Sequence, residues 1–383
     1  MAEKTFIPEK LCSGSPWDRL LAKLYALCLD LHPATEGCRD CRYYMLSVDA
    51  RACHAIEPDF DVDAVYTWVD GADSTHAAKR ARWLSRQGAV HGSALEAARF
   101  RDNEELRYSL RALERFAPWV RRVILATDGQ RPFWLRADHP KIRIVDHSEF
   151  IPHEYLPTFN SHVIEAYLHT ITGLSEQYLY MNDDVFLARP CRKTDFFTSN
   201  GLPLAFVDWR IRRRFGYSYT KTPHAMSYFN TLRILEERGV PTNPGFVTAH
   251  GPYAQTRTNM AAACGFYRDA IKGFAGNRFR TTAEIAMYSH GLPLWIYGQK
   301  RLVPCDERYY YVQTRRRDRA AYYRAILKSR EEHVPPLFFC INDVGGSGSG
   351  RQWKEDLRYL LESYFPRPSS FETDMAVNTD GKP

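Results

Sequence analysis

Long apolar runs are missing from this sequence. No stretch approaches the ~20 apolar residues that a membrane-spanning helix requires. The first ten residues lack an apolar core flanked by positive charge, so they do not read as a secretory leader. Cysteine is sparse and odd in number, nine in 383 residues, which excludes a disulfide scaffold. No internal repeat is present, which excludes a repeat architecture. No helix-turn-helix, finger or RNA-binding signature accompanies the net charge of +7, so nucleic acid is set aside as a partner. The expected compartment is the cytoplasm, with peripheral contact at the inner face of a membrane left open through Arg210, Arg212, Arg213 and Arg214.

What is present is ordinary globular usage, 44% hydrophobic and 25% charged. Aromatics are plentiful, with 23 Tyr, 21 Phe and 8 Trp, enough to fill a core and also suited to stacking on ring-shaped ligands. A second basic knot, Arg315, Arg316, Arg317 and Arg319, fits either an acidic partner or a solvated face. Cys38 and Cys41, with Cys28, His32, Cys53 and His54 nearby, leave two readings open: a small zinc site or reduced, partly buried thiols.

The texture changes along the chain. Residues 1–60 read as a helical extension, carried by three- and four-residue apolar spacing over 17–31. The runs at 62–69, 121–129, 141–146 and 177–186 read as strands, and those at 103–120 and 161–171 as helices. This is α/β wiring with strands apolar enough for a buried, mostly parallel sheet. Ligands of such sheets collect at the carboxyl ends of strands, where Asp70-Gly71, Asp128-Gly129 and Asp183-Asp184 all fall. Beyond residue 220 short helices are expected near 228–238, 281–289, 317–332 and 351–364. A Gly-Ser linker lies at 345–350 and a disordered tail at 373–383.

Several residues carry possible chemistry. Hard divalent ions take oxygen ligands, and Mg²⁺ takes one or two carboxylates beside substrate phosphates, which suits Asn182-Asp183-Asp184; a solvated turn is the competing explanation. His162 and Glu165 share a helix face after Thr158, Asn160 and Ser161, and either bind sugar hydroxyls or orient one another. Ser161 is also a ready N-cap. His224, in a loop after Thr222-Pro223, has the ordinary titration range of a general base, against a background of 13 histidines. Arg280 and Glu284 sit four apart, either a phosphate clamp with its orienting acid or a plain helical ion pair.

The segments that hold these residues resemble a known family. They are DAVYTWVDG (63–71), the long block from RFRDNEELRYSLRALERFAPWV to YLYMNDDVFL (99–187), DFF (195–197), TPHAMSY (222–228), NRFRTTAEIAMYSH (277–290), FFCINDV (338–344) and LLESYFPRPSSFE (360–372). The pattern is similar to the Stealth family, which contains bacterial capsular-polysaccharide phosphotransferases and the catalytic part of animal N-acetylglucosamine-1-phosphotransferase. The resemblance implies a Rossmann-like, nucleotide-sugar-transferase (GT-A-like) core over 61–200, an acceptor- and phosphate-side helical part over 201–372, and together one catalytic unit.

It further implies that a hexose-1-phosphate, of the N-acetylhexosamine type, moves from a UDP-sugar to a carbohydrate or polysaccharide hydroxyl. UMP leaves, in capsular or cell-surface polysaccharide synthesis. Trp68, Asp70, Gly71, Asp128, Gly129 and Gln130 are then expected in the nucleotide pocket, and Asn160, Ser161, His162 and Glu165 on the donor sugar. Asp184 with Asp183 holds Mg²⁺ or Mn²⁺, Arg280 steadies phosphoryl oxygens with Glu284 orienting it, and His224 acts as base. Residue chemistry alone leaves two alternatives: a conventional metal-dependent glycosyltransferase releasing UDP, or a non-catalytic carbohydrate- or nucleotide-binding protein.

Overall fold

Val62–Thr67 forms β1, and all but its last residue are buried. A strand covered on both faces belongs inside a sheet with helices on either side. In the computed structural model, residues 58–88, 90–206, 222–240, 248–298, 303–305, 309–344 and 352–373 are described. The expected helix at 17–31, Cys38 and Cys41, the knot around Arg210, the Gly-Ser stretch and nearly all of the 373–383 tail lie outside them.

The strands that follow are β2 (Arg122–Thr127), β3 (Ile142–Asp146), β4 (Gln177–Asn182), β5 (Val185–Leu187), β6 (Leu204–Phe206), β7 (Tyr253–Thr256), β8 (Val303–Cys305), β9 (Tyr309–Gln313) and β10 (Phe338–Asn342). The main sheet has the order β3-β2-β1-β4-β7, parallel except for the antiparallel edge strand β7. Side chains of β1 alternate between two cores. Val62, Ala64 and Tyr66 join Leu106, Leu110 and Leu113, whereas Val65 packs with Val163, Met260 and Ile271. The α/β expectation holds.

The described helices are α1 (Ser74–Leu84), α2 (Glu105–Phe116), α3 (Ser161–Tyr167), α4 (Pro223–Glu237), α5 (Arg257–Phe266), α6 (Arg268–Ala275), α7 (Leu292–Gly298), α8 (Arg319–Glu331) and α9 (Gln352–Tyr364). None is long and apolar enough to cross a membrane. In α2 the Leu106, Leu110 and Leu113 stripe is buried, as its spacing predicts.

Two expectations change. The run at 177–186 is two strands: β4 ends at Asn182, and after Asp183-Asp184 the chain enters a second sheet, β5-β10-β9. The acid pair therefore stands at the hand-over between sheets. The α-helix expected at 281–289 is absent. Asn230 Nδ2 donates to the carbonyls of Thr282 (2.9 Å) and Glu284 (2.8 Å), and Glu284 takes the Thr281 amide at 2.8 Å. Those groups are thus withdrawn from a helical ladder, and only a short π-turn at Met287–Gly291 precedes α7.

The sheet's two ends treat acids differently. At the amino end Asp63, fully buried, accepts from Arg121 Nε (2.9 Å), Arg121 Nη2 (2.6 Å) and the Ser175 amide (2.9 Å). Every oxygen there is answered. The carboxyl end is where that stops.

Candidate active site

A cavity of about 480 Å³ opens at the carboxyl ends of β1, β2 and β4 and is closed by the ends of β9 and β10. Its floor is acidic. Glu105 at the start of α2, and Asp183 and Asp184 after β4, line it together. Burial, with Asp102's charge added, raises the pKa of Glu105 to about 7. Burial also raises Asp102 to about 6, and the neighbouring charges of Asp70 and Glu104 add to this. Asp183 is pushed well above the carboxylate range, first by enclosure and then by Asp184, Glu105 and Asp102. Asp184 Oδ2 accepts from Asn342 Nδ2 at 3.0 Å, but its Oδ1 is buried without a hydrogen-bond partner among the described residues. Carboxylates crowded this way, one oxygen unanswered, form a donor set that fits a hard divalent cation.

Facing the acids are two arginines that make no ion pair among the described residues. Arg280 donates to Ser161 Oγ and lines the cavity. Burial, with Arg280's charge added, lowers the Arg99 pKa to about 10. Two guanidiniums close enough to repel one another are a site for a polyanion. Glu165, on α3, lies in the same cavity; burial lifts its pKa to about 7 although Arg280 pulls it back, and its Oε2 has no partner.

Glu284 is not the orienting acid of Arg280. Its oxygens accept from Asn160 Nδ2 (3.0 Å to each), Asn277 Nδ2 (3.1 Å) and the Thr281 amide (2.8 Å), and lie 2.9 Å from His162 Nδ1. The irregular backbone at 281–286 removes the helical spacing that would have paired it with Arg280. Glu284 instead fixes His162, which burial followed by Arg280 and Arg99 holds neutral, so the imidazole donates its Nδ1 proton. Asn160, not Ser161, caps α3, accepting from the His162 amide at 3.1 Å. That leaves the Ser161 hydroxyl for Arg280.

Two histidines reach the cavity from the remaining side. His224, at the start of α4, stands over His290 at 4.9 Å between ring centroids; Ser227 Oγ sits 2.8 Å from His290 Nδ1 and holds that ring beneath it. His224 opens toward the cavity, yet enclosure by its walls and then the fields of His290, His162 and Arg280 lower its pKa well below the usual value. His250 was not singled out in the sequence. Its Nε2 lies 3.0 Å from Asn182 Nδ2 and 3.6 Å from Asp184 Oδ1, and its ligating nitrogen, an Asp184 oxygen and Cys340 Sγ all fall within 4.8 Å of one another. The signal available was its place in HGPYAQTR, just ahead of β7.

The six residues expected in the nucleotide pocket divide. Trp68 and Asp128 line the cavity. Gln130 stands behind it: its carboxamide receives the Asp70 amide at 3.2 Å and donates to the Asp70 carbonyl at 2.8 Å, bracketing two strand-end turns. Gly71 presses on the wall residue Phe100, where a Cβ would come within 2.4 Å of the Phe100 carbonyl oxygen. Gly129 has φ of +69°, which favours glycine. Asp70 caps its own turn by accepting from the Ala72 amide at 2.8 Å.

Buried charges of both signs lining one cavity, without ion-pair partners among the described residues, mark it as the place where a charged ligand binds. The chain belongs to the Stealth family. Residues 99–205 match Stealth protein CR2, conserved region 2, and residues 60–88 match Stealth protein CR1, conserved region 1. It is 41% identical to an exopolysaccharide phosphotransferase of Streptomyces coelicolor over 82% of this chain, spanning about half (52%) of that protein's length. It is 33% identical to the capsular polysaccharide phosphotransferase LcbA of Neisseria meningitidis, covering 80% of this chain and 84% of the relative. With the capsular polysaccharide phosphotransferase fcs1 of Haemophilus influenzae the identity is 34%, covering 79% and 84%. Among solved structures it is similar to the galactosyltransferase LgtC in complex with donor and acceptor sugar analogs. That likeness has a TM-score of 0.40 and 12% identity, over 79% of this chain and 96% of that one, and carries no residue correspondence.

Proposed function

We propose that this protein transfers a hexose-1-phosphate unit, of the N-acetylhexosamine type, from a UDP-sugar to a carbohydrate hydroxyl during capsular or exopolysaccharide synthesis. The supporting observation is the charge layout. Crowded carboxylates at the β4–β5 hand-over face Arg280 and Arg99 across one cavity, the complement of a diphosphate accompanied by a divalent cation. The names of the relatives favour displacement at phosphorus over displacement at the sugar carbon.

Asp184 and Asp183 would hold Mg²⁺ or Mn²⁺, which would supply charge neutralisation at the diphosphate. Arg280 and Arg99 bind phosphoryl oxygens, whose charge grows as the new bond forms. The proton of the attacking hydroxyl passes to His250 Nε2 once that nitrogen gives up the hydrogen bond it accepts from Asn182 Nδ2 at 3.0 Å, and Asp184 Oδ1 at 3.6 Å stabilises the resulting imidazolium. His224, with no carboxylate beside it among the described residues, is the weaker base and hydrogen-bonds the acceptor or a phosphoryl oxygen. Ser161 and Glu165 face the donor sugar, with Asn160, His162 and Glu284 steadying them from behind. The new oxygen–phosphorus bond forms as the bond to the uridine monophosphate oxygen breaks, so the sugar's anomeric bond survives.

Product analysis tests this. Incubation with a UDP-sugar, Mg²⁺ and a capsule oligosaccharide should release UMP and give a phosphodiester signal in ³¹P NMR. Release of UDP with a plain glycosidic product would replace this reading with conventional glycosyl transfer.

A further inference from the structure

His76 on α1 and His147 just after β3 come from separate elements, yet both line the same cavity. Both are more than nine-tenths buried, at 4% and 5% exposure, and Nδ1 of each has no hydrogen-bond partner among the described residues. Leaving such a nitrogen unanswered is unfavourable unless a visiting group answers it.

The surroundings do not supply the answer. Asp128 lies close enough for its charge to reach both rings, but its two oxygens each accept from Lys79 Nζ at 2.9 Å. Aromatic rings pack against both, His76 edge-on to Phe159 at 5.4 Å and His147 edge-on to Phe150 at 5.9 Å, and the other charges within reach are engaged elsewhere: Asp73 accepts from the His76 amide at 2.7 Å, Asp146 from the Ser148 amide at 2.9 Å, and Arg80 lies over the Phe100 ring. Burial holds both rings neutral, His147 at about 4. A neutral imidazole offers one N–H and one lone pair. Lys79 and Asp128 neutralise one another and both Asp128 oxygens are taken, so a flat, uncharged, hydrogen-bonding ring suits this end better.

Position along the sheet agrees. With the order β3-β2-β1-β4, the two histidines flank the β3–β2 end, and the acids stand past β1 at β4. A nucleotide whose diphosphate lies over the acids runs its base toward the histidines, past Trp68 and Phe100 in the cavity wall. We infer that His76 and His147 form the base-reading end of the donor site, each donating an N–H to one of the two carbonyl oxygens that flank the ring N–H of a uracil-type pyrimidine. This assignment rests on the nucleotide-sugar reading above. Cytosine sets an amino group where one of those carbonyls would be, and is discriminated against.

The experiment is calorimetric titration of the full chain, in Mg²⁺, with UMP, CMP and the base-free ligand ribose 5-phosphate. His147→Phe and His76→Phe keep ring volume in a buried position, and His147→Gln restores a donor. The wild type should prefer UMP over CMP on the order of tenfold or more. Either Phe variant should lose most of that preference while binding ribose 5-phosphate unchanged, and His147→Gln should recover part of it. Equal affinity of the wild type for UMP and CMP overturns the assignment, as do Phe variants that keep the preference or lose all three ligands alike. A wild type that binds no nucleotide defeats the donor reading itself, a result distinct from these.

Discussion

The carboxylates of this protein that meet an arginine and those that do not are made from the same chemistry and solved in opposite ways. Asp63 at the amino end of the sheet, and Glu372 near the end of the described chain, are buried and fully answered. Glu372 accepts from Arg107 Nε at 2.5 Å and from Arg111 Nε and Nη2 at 2.7 Å each, which outweighs burial and brings its pKa to about 2. Asp102, Glu105 and Asp183, at the carboxyl end, are all displaced upward. The first region uses charge to hold the chain together. The second keeps charge in reserve for a ligand, at a cost to stability that a cation would recover.

That contrast can be broken at either side. Asp184→Ala should lower transfer by more than ~10³-fold, beyond the loss of a single base, while the melting temperature stays level or rises. Near-normal turnover would remove Asp184 from the chemistry. His250→Ala should cost ~10²–10⁴-fold in kcat, and His224→Ala should cost less; the reverse ranking would return the base role to His224. Glu372→Gln leaves Arg107 and Arg111 facing an uncharged partner and should destabilise by ~3 kcal/mol, read by urea unfolding, with kcat per folded molecule unchanged.

The smallest effect is the one with pH, and the two regions oppose each other in sign. Glu372 has a depressed pKa, so its stabilisation is present above the ordinary carboxylate value and is lost as pH falls toward 2. Asp102 and Glu105 have raised values, near 6 and 7, so the folded state binds more protons than the unfolded one between about pH 4 and 7. The buried, neutral His76, His147 and His162 pull the other way over the same window, so the acids' share is read by difference: metal-free Glu105→Gln should lose a few °C in Tm relative to the wild type as pH is lowered from 7.5 to 5.5. Saturating Mg²⁺ should shrink that loss. A loss unchanged by Mg²⁺ would mean that the acids are not where the cation binds.

Local pattern made much of this readable in the sequence. Continuous apolar runs marked β1, β2 and β3, and the Leu106, Leu110, Leu113 stripe marked α2, because burial on two faces or one stripe leaves a period of its own. Asp183, Asp184 and Arg280 stood out by residue type and position. The rest depended on contacts that no period encodes. His250 gains meaning only because β4 brings Asn182 and Asp184 beside it. Arg99 becomes notable only opposite Arg280. Glu284 looked like a helical partner of Arg280 until the side chain of Asn230 took the carbonyls that a helix would have needed. β9 and β10 are short, and their role as a second sheet is set by pairing with β5 across 150 residues of sequence.

The hand-over at Asp183-Asp184 also governs when this protein can begin to exist as a catalyst. One wall of the cavity, Asn342 included, is carried by a strand whose partner was synthesised long before. A nascent chain halted ahead of Phe338 would present Val185, Phe186 and Leu187, packed on α2 but without their strand partner, as an apolar edge open to pairing with another molecule. Ribosome-stalled or truncated products should therefore be inert and prone to clumping, however complete their main sheet.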